Sequence, residues 1–318
     1  MDVFFYEAFA EEAEALRRYL GDGLTYEMSS ETVQALDHPA PPARLISIRT
    51  QSIVPTAWAA SLDGILSRST GYDHLRVFRE HSGSSLPCGY LDEYATRAVA
   101  EHAIILAASL LRRIPAQLRQ MATFDRDGLT GVEFGGKKLL VVGVGRIGIE
   151  IVRLATGMGM SVRGVDIVQR HSDVQYVSPG EGIAWADALI CAMNLTPENA
   201  GYFSSDLLSR AKAGAVFVNI ARGEHASTEA LLNGLQRGIL GGVGLDVYQD
   251  EPHVAEALRH GGLTSREAAA LRTLQALPNV ILTPHNAFNT REAVERKSEM
   301  SARQVRHFLK HRQFLWGL

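Results

Sequence analysis

Residues 139–148, Leu-Leu-Val-Val-Gly-Val-Gly-Arg-Ile-Gly, constrain the fold more than any other stretch of this chain. A short apolar run reads as a buried strand and feeds directly into Gly143-x-Gly145-x-x-Gly148, with an amphipathic segment behind it. In that setting the first glycine permits a tight turn. The second lets the backbone approach a pyrophosphate, and the third lets helix and strand pack closely. The helix N-terminus then offers free N–H groups and a partial positive charge to phosphates. A second strand is predicted at 162–166, ending on Asp166, eighteen residues beyond Gly148. A carboxylate there accepts hydrogen bonds from ribose hydroxyls and repels a 2′-phosphate, which predicts NAD rather than NADP. The competing reading is a glycine-rich turn with no ligand.

With 318 residues, 46% hydrophobic and 21% charged, the chain has material for about two domains with ample core. A net charge of −3 gives no electrostatic footprint for nucleic acid. Cys88 and Cys191 have no metal-like spacing, so no metal is expected, and two reduced thiols suit a cytoplasmic protein. The N-terminal residues carry acids early and lack a basic region, so no signal peptide is expected. The apolar stretch 103–111 is too short to span a bilayer, so no membrane partner is expected either.

Strand-like and helix-like patterns alternate along the whole chain, which predicts an α/β protein with parallel sheets. Strands are expected at 3–6, 45–48 and 65–67, with a helix after the first that runs to residue 20. The segment 93–121 reads as a long helix, almost unbroken before Pro115. Its part 102–111 is apolar nearly all round and should be buried on every side, in a core, between domains or against a second subunit. Further strands are expected near 138–143, 161–166, 188–193, 215–220, 241–246 and 279–283. Helices are expected at 204–212 and 227–237, a helical insertion at 253–277, and a last helix at 290–310 that is too polar to complete this second sheet.

Three chemically useful side chains follow the fingerprint at the ends of predicted strands, where open α/β sheets bind ligands. They are Arg222, Glu251 (five residues beyond Asp246) and His285. A guanidinium can hold a carboxylate bidentately and polarise the adjacent carbonyl. An imidazole suits proton transfer near neutral pH, and a carboxylate paired with it orients the ring. Singly, each has a plainer reading: a surface ion pair, a helix cap beside Pro252, a loop histidine. Behind a dinucleotide fingerprint, the set reads as machinery for carbonyl reduction.

The chain resembles the D-isomer-specific 2-hydroxyacid dehydrogenase family over essentially its whole length. The resemblance rests on Val141-Val-Gly-Val-Gly-Arg-Ile-Gly148, Val218-Asn-Ile-Ala-Arg-Gly223, Gly244-Leu-Asp-Val-Tyr248, Asp250-Glu-Pro252 and Leu282-Thr-Pro-His285, all in the family's order. It implies two Rossmann-like or flavodoxin-like domains with doubly wound parallel sheets and a cleft between them. The substrate domain would comprise 1–97 plus 288–318, and the NAD-binding domain 98–287. By the same resemblance Arg222 binds the substrate carboxylate, His285 is the acid/base and Glu251 is its partner. Asp246 supports the site beside the nicotinamide. Arg146 and Ile147 present backbone N–H groups to the pyrophosphate. Ala221, Asn194 and Thr196 join the cofactor site, and Thr70, Gly71 and Tyr72 form the substrate loop. The helix after Ala98 would link the domains and build a homodimer.

The compact Arg68-Ser-Thr-Gly-Tyr-Asp loop and His285-Asn-Ala-Phe-Asn-Thr290 resemble the D-lactate dehydrogenase branch. Asn289, where that branch often has tyrosine, and Leu86-Pro-Cys-Gly-Tyr90 depart from it near the place of the substrate's tail. The expected reaction is therefore reversible reduction of a small 2-keto acid to a D-2-hydroxy acid. Glyoxylate, hydroxypyruvate and branched keto acids stand as alternative substrates, and a NAD-sensing corepressor as a non-enzymatic alternative.

Overall fold

The computed structural model describes residues 1–260 and 266–318. The chain forms two compact units, one of Met1–Ala95 with Asn289–Leu318 and the other of Thr96–Phe288.

In the first unit the strands are β1 (Val3–Phe5), β2 (Tyr26–Met28), β3 (Leu45–Ile48), β4 (Gly64–Ser67) and β5 (Cys88–Gly89). Among the described residues they make a parallel sheet in the order β2-β1-β3-β4-β5. β1, β3 and β4 are wholly buried, as expected of strands covered on both faces. The helix Ala10–Leu20 ends at Gly21, and the helix Arg291–His311 packs against it and against β4. β2 and β5, absent from the sequence expectation, are edge strands of two or three residues, too short to show a period.

The second unit holds β6 (Lys138–Val142), β7 (Ser161–Val165), β8 (Gln175–Tyr176), β9 (Ala188–Cys191), β10 (Ala215–Asn219), β11 (Leu240–Leu245) and β12 (Val280–Leu282). These described strands pair in the order β12-β11-β10-β9-β6-β7-β8, all parallel. The expected α/β class with doubly wound parallel sheets is thus what the chain adopts. In each sheet the strand order reverses once, at β1/β3 and at β6/β9, and such switch points are where open sheets bind ligands.

The expected long helix over 93–121 is two helices, Thr96–Leu111 and Ile114–Gln120. Arg113 adopts a left-handed backbone (φ 55°) between them, and Pro115 then fits the first turn of the second helix. Full burial of 102–111 does not hold within the single chain, because Ile105 is 59% exposed. The expected insertion at 253–277 comprises the helices Glu251–His260 and Arg266–Gln275, while 261–265 lie outside the described residues. The helix expected at 204–212 is the single turn Ser205–Leu208. Among the described residues no helix is long and apolar enough to cross a membrane, and no cluster of three His, Cys, Asp or Glu could hold a metal.

Candidate active site

The glycine turn lies between β6 and the helix Arg146–Gly157, at the switch point of the second sheet. Gly143 has φ +92°, and a Cβ there would come within 2.6 Å of the Met193 backbone nitrogen. A Cβ on Gly148 would lie 2.1 Å from the Gly143 carbonyl oxygen, so helix and turn touch through backbone alone. Gly145 differs from both: nothing lies within 4 Å of where its Cβ would be. It is also the N-cap residue of the helix that opens with Arg146 and Ile147, and as glycine it brings no side chain of its own to the helix N-terminus. A helix N-terminus reached over a glycine with open space where its Cβ would be fits a dinucleotide pyrophosphate.

Asp166 follows β7 and braces this turn. One carboxylate oxygen accepts from the Val144 N–H at 2.7 Å, and the other accepts from the Val168 N–H at 2.9 Å. Across the switch point, the chain after β9 carries Asn194 and Thr196. Asn199 ties them together, its Oδ1 accepting from the Thr196 N–H and its Nδ2 donating to the Asn194 carbonyl, each at 2.8 Å. His225, which sequence reasoning passed over, is fully buried beneath this loop. Its ring nitrogens stand 3.2 Å from the Asn199 carbonyl and 3.3 Å from that of Met193, bracketing the loop at both ends.

The candidate site side chains follow the carboxyl ends of neighbouring strands. β10 runs out through Asn219, whose side chain accepts from the Ala221 N–H and donates to the Arg222 carbonyl, fixing a turn. Arg222 is half-buried, with Nη1 donating to the Ala221 carbonyl at 2.8 Å. β11 leads to Asp246, and β12 to His285. His285 Nδ1 and Glu251 Oε1 are 2.6 Å apart, and both side chains keep some solvent exposure. Bonding at Nδ1 leaves Nε2 as the ring atom able to meet a ligand.

Backbone geometry places this pair. Asp250 and His285 both adopt left-handed φ, 53° and 50°, a conformation that Asp and His tolerate better than most residues. Asp246 holds the second of these bends. Its carboxylate, 1% exposed, accepts from Thr283 Oγ1 at 2.5 Å, from the Asn286 N–H at 2.7 Å and from the Ala287 N–H at 2.9 Å. His102 of the helix Thr96–Leu111 reaches the same Thr283 hydroxyl at 3.1 Å. Tyr248 donates to the Thr283 carbonyl at 2.6 Å. Burial pushes its hydroxyl well above the ordinary tyrosine range, and the Asp246 and Glu251 carboxylates add to the effect. Asp246 therefore spends its oxygens on the chain that carries His285.

Thr70, Gly71 and Tyr72 belong to the first unit, in the turn between β4 and the helix Asp73–Ser82. Thr70 is exposed, and the Tyr72 ring lies 4.6 Å from that of Tyr90.

A parallel switch-point sheet with a glycine turn opening a helix, an acidic residue after the second strand and a histidine–carboxylate pair at the same edge is the architecture of a dinucleotide-binding domain. Residues 104–287 match the family described as D-isomer specific 2-hydroxyacid dehydrogenase, NAD binding domain. The chain belongs to that family, and its cofactor is NAD. An aromatic 2-oxoacid reductase of Clostridium sporogenes is 32% identical over 221 residues, covering 68% of this chain and 66% of the relative. The chain thus spans just under two thirds of that reductase. The 2-hydroxyacid dehydrogenase A of Aspergillus oryzae is 30% identical, covering 85% of this chain and 79% of its own length. Among solved structures, a D-lactate dehydrogenase from Aquifex aeolicus complexed with NAD and lactic acid superposes with a TM-score of 0.86 at 26% identity, covering 98% of both chains.

Proposed function

We propose that the protein catalyses the reversible reduction of a small 2-keto acid to a D-2-hydroxy acid, in the manner of a D-lactate dehydrogenase. The observation that carries this reading is the 2.6 Å pairing of His285 with Glu251 in the unit that bears the NAD turn. Gly143, Gly145, Arg146, Ile147, Gly148, Asp166, Asn194, Thr196, Ala221 and Asp246 are the residues proposed to hold or frame NAD. Bound NADH supplies the hydride that ends on the substrate's carbonyl carbon.

Protonated His285 gives its Nε2 proton to the carbonyl oxygen, while Glu251 at Nδ1 holds the tautomer and stabilises the imidazolium. Arg222 binds the substrate carboxylate, and its charge stabilises the alkoxide that develops on the neighbouring oxygen. In the first unit, proposed as the substrate domain, the 70–72 loop is read as a carboxylate-binding loop through its backbone N–H groups. The test is His285→Asn. It should lower kcat by about 10³-fold, within the range typical of a lost acid/base group, while the Kd for NADH changes by no more than about twofold, the glycine turn and Asp166 being untouched. Near-normal turnover with a panel of pyruvate, hydroxypyruvate, branched and aromatic keto acids would refute the role of His285.

The same reading includes a homodimer. Ile105, Leu118, Met121 and Phe124 are 59%, 74%, 64% and 70% exposed, apolar side chains on two consecutive helices of the second unit and the turn after them that a second copy would cover. Light scattering should give twice the chain mass for the wild type and a smaller mass for Ile105→Lys. A monomeric wild type sinks this part of the proposal.

A further inference from the structure

Arg68, the first residue after β4, is among the largest fully buried side chains described. Its guanidinium is spread over three elements. Nε donates to Glu12 Oε1 at 2.8 Å, Nη1 to Ser47 Oγ at 3.1 Å, and Nη2 to the Tyr6 carbonyl at 2.6 Å. Lys297 Nζ, also fully buried, lies 2.7 Å from the same Glu12 oxygen. One carboxylate from the helix Ala10–Leu20 thus joins a strand end to the helix Arg291–His311. Burial alone would lift the Glu12 carboxyl. The charges of Arg68, Lys297 and Arg49 outweigh it and hold the group at about 2. Burial pushes the Lys297 ammonium well below the ordinary lysine range, against the pull of Glu12.

Hydrocarbon of the same volume would stabilise a core as well as a buried ion set, so the charges call for another reason. That reason lies downstream. Ser69 Oγ donates to the Gly71 carbonyl at 2.7 Å, which uses its one proton. At the 2.6 Å contact Ser67 must then be the donor to Ser69, and His74 Nε2, 2.9 Å from Ser67 Oγ, must donate to Ser67. This directed chain of bonds ties the Gly71 carbonyl inward. In a trans peptide the N–H of Tyr72 consequently points the opposite way. The Leu91 N–H, donating to the Ser69 carbonyl at 3.0 Å, pins the loop from its other side. With Arg68 fixed before it and the helix Asp73–Ser82 after it, residues 70–72 have one way to present their backbone.

We infer that Arg68 is a positioning residue: clamped by Glu12, Ser47 and the Tyr6 carbonyl, it sets the backbone N–H groups of the 70–72 loop at the distance a substrate carboxylate requires. This rests on the reading of that loop as the carboxylate-binding loop. A neighbouring device acts in the same direction. Glu7, itself at φ 54°, accepts the backbone N–H groups of Arg49, Gln51 and Ser52 at 2.9, 3.3 and 3.1 Å, fixing the loop after β3 beside it.

The test uses the full-length protein with NADH and the best keto acid of the panel. Arg68→Lys keeps the charge but cannot span three acceptors. A loop shifted by part of an ångström should raise the keto-acid KM about tenfold, with kcat and the NADH Kd within about twofold, because ground-state and transition-state binding weaken together. Ser47→Ala, which removes one clamp and no charge, should raise KM by about twofold to threefold. Thr70→Pro deletes a loop N–H and probes the underlying reading separately. If Thr70→Pro raises KM while both clamp variants keep the wild-type value, the positioning role is overturned and the loop reading stands. If Thr70→Pro leaves KM unchanged, the loop reading fails and the inference with it. Should Arg68→Lys fail to fold, Ser47→Ala decides: a KM rise at constant kcat supports the role, and an unchanged KM overturns it.

Discussion

The two sheets obey one architectural rule and supply its carboxyl edge in opposite ways. At the edge of the second sheet, each important residue belongs to a short local motif, and its ion pair, Glu251 with His285, keeps 14% and 21% side-chain exposure. At the edge of the first, order depends on Glu12, Arg68 and Lys297, far apart in sequence and with no exposure at all. A pair that must exchange protons with a ligand needs an open side and mobile charge. A pair that only fixes a backbone can be sealed, and sealing makes its geometry rigid. On the proposed function, similar contact distances, 2.6 and 2.8 Å, serve different ends.

The largest expected effect breaks the comparison directly. Glu12→Gln leaves Arg68 and Lys297 buried with their shared anion gone, and should cost about 3–5 kcal/mol of stability, read as a lower urea midpoint. Glu251→Gln should change stability by less than about 1 kcal/mol yet reduce kcat by about 10²-fold. Equal stability in the two variants would show that the buried set is not the structural member of the comparison.

Acid titration sharpens the same contrast. Since folding lowers the Glu12 carboxyl from 4.5 to about 2, its contribution is complete above the unfolded value and disappears as pH falls through the folded one. The wild-type melting temperature should therefore drop between pH 4.5 and 2 more steeply than that of Glu12→Gln. Parallel curves would remove Glu12 from the account.

The two edges also differ in how much of them a reader of the sequence could see. The glycine turn, Asp166 and the strand-end positions of Arg222 and His285 were visible because each rests on neighbours a few residues away. Asp246 could be placed beside the site, but the inward turn of its carboxylate toward Asn286 and Ala287 could not, since that pairing spans 40 residues or more. No local sequence pattern marks His102 or His225. Only the folded chain brings them to Thr283 and to the 193–199 loop. In the first unit, Arg68 and Glu12 lie 56 residues apart, and a lone glutamate on an amphipathic helix gives no sign that it faces inward. Periodicity reports which face of an element is apolar. It is silent about a charge buried against that face.

One free cysteine sits in each sheet, which allows the smallest effect to be read separately for the two units. Cys88 in β5 and Cys191 in β9 are both fully buried, and burial pushes their thiols up to about 11 and about 12. Near neutral pH neither should form an appreciable thiolate, so a thiol-specific reagent can react only when its strand opens. Single-cysteine variants, Cys88→Ala and Cys191→Ala, should each label slowly in native protein and fully in denaturant. NADH, bound by the second unit, should slow labelling of Cys191 by mass action, because it stabilises only the closed form. Cys88 should keep its rate unless the two units open as one. Equal slowing at both sites would mean that the sheets share a single opening, and the contrast between a sealed edge and a working edge would then have no counterpart in their dynamics.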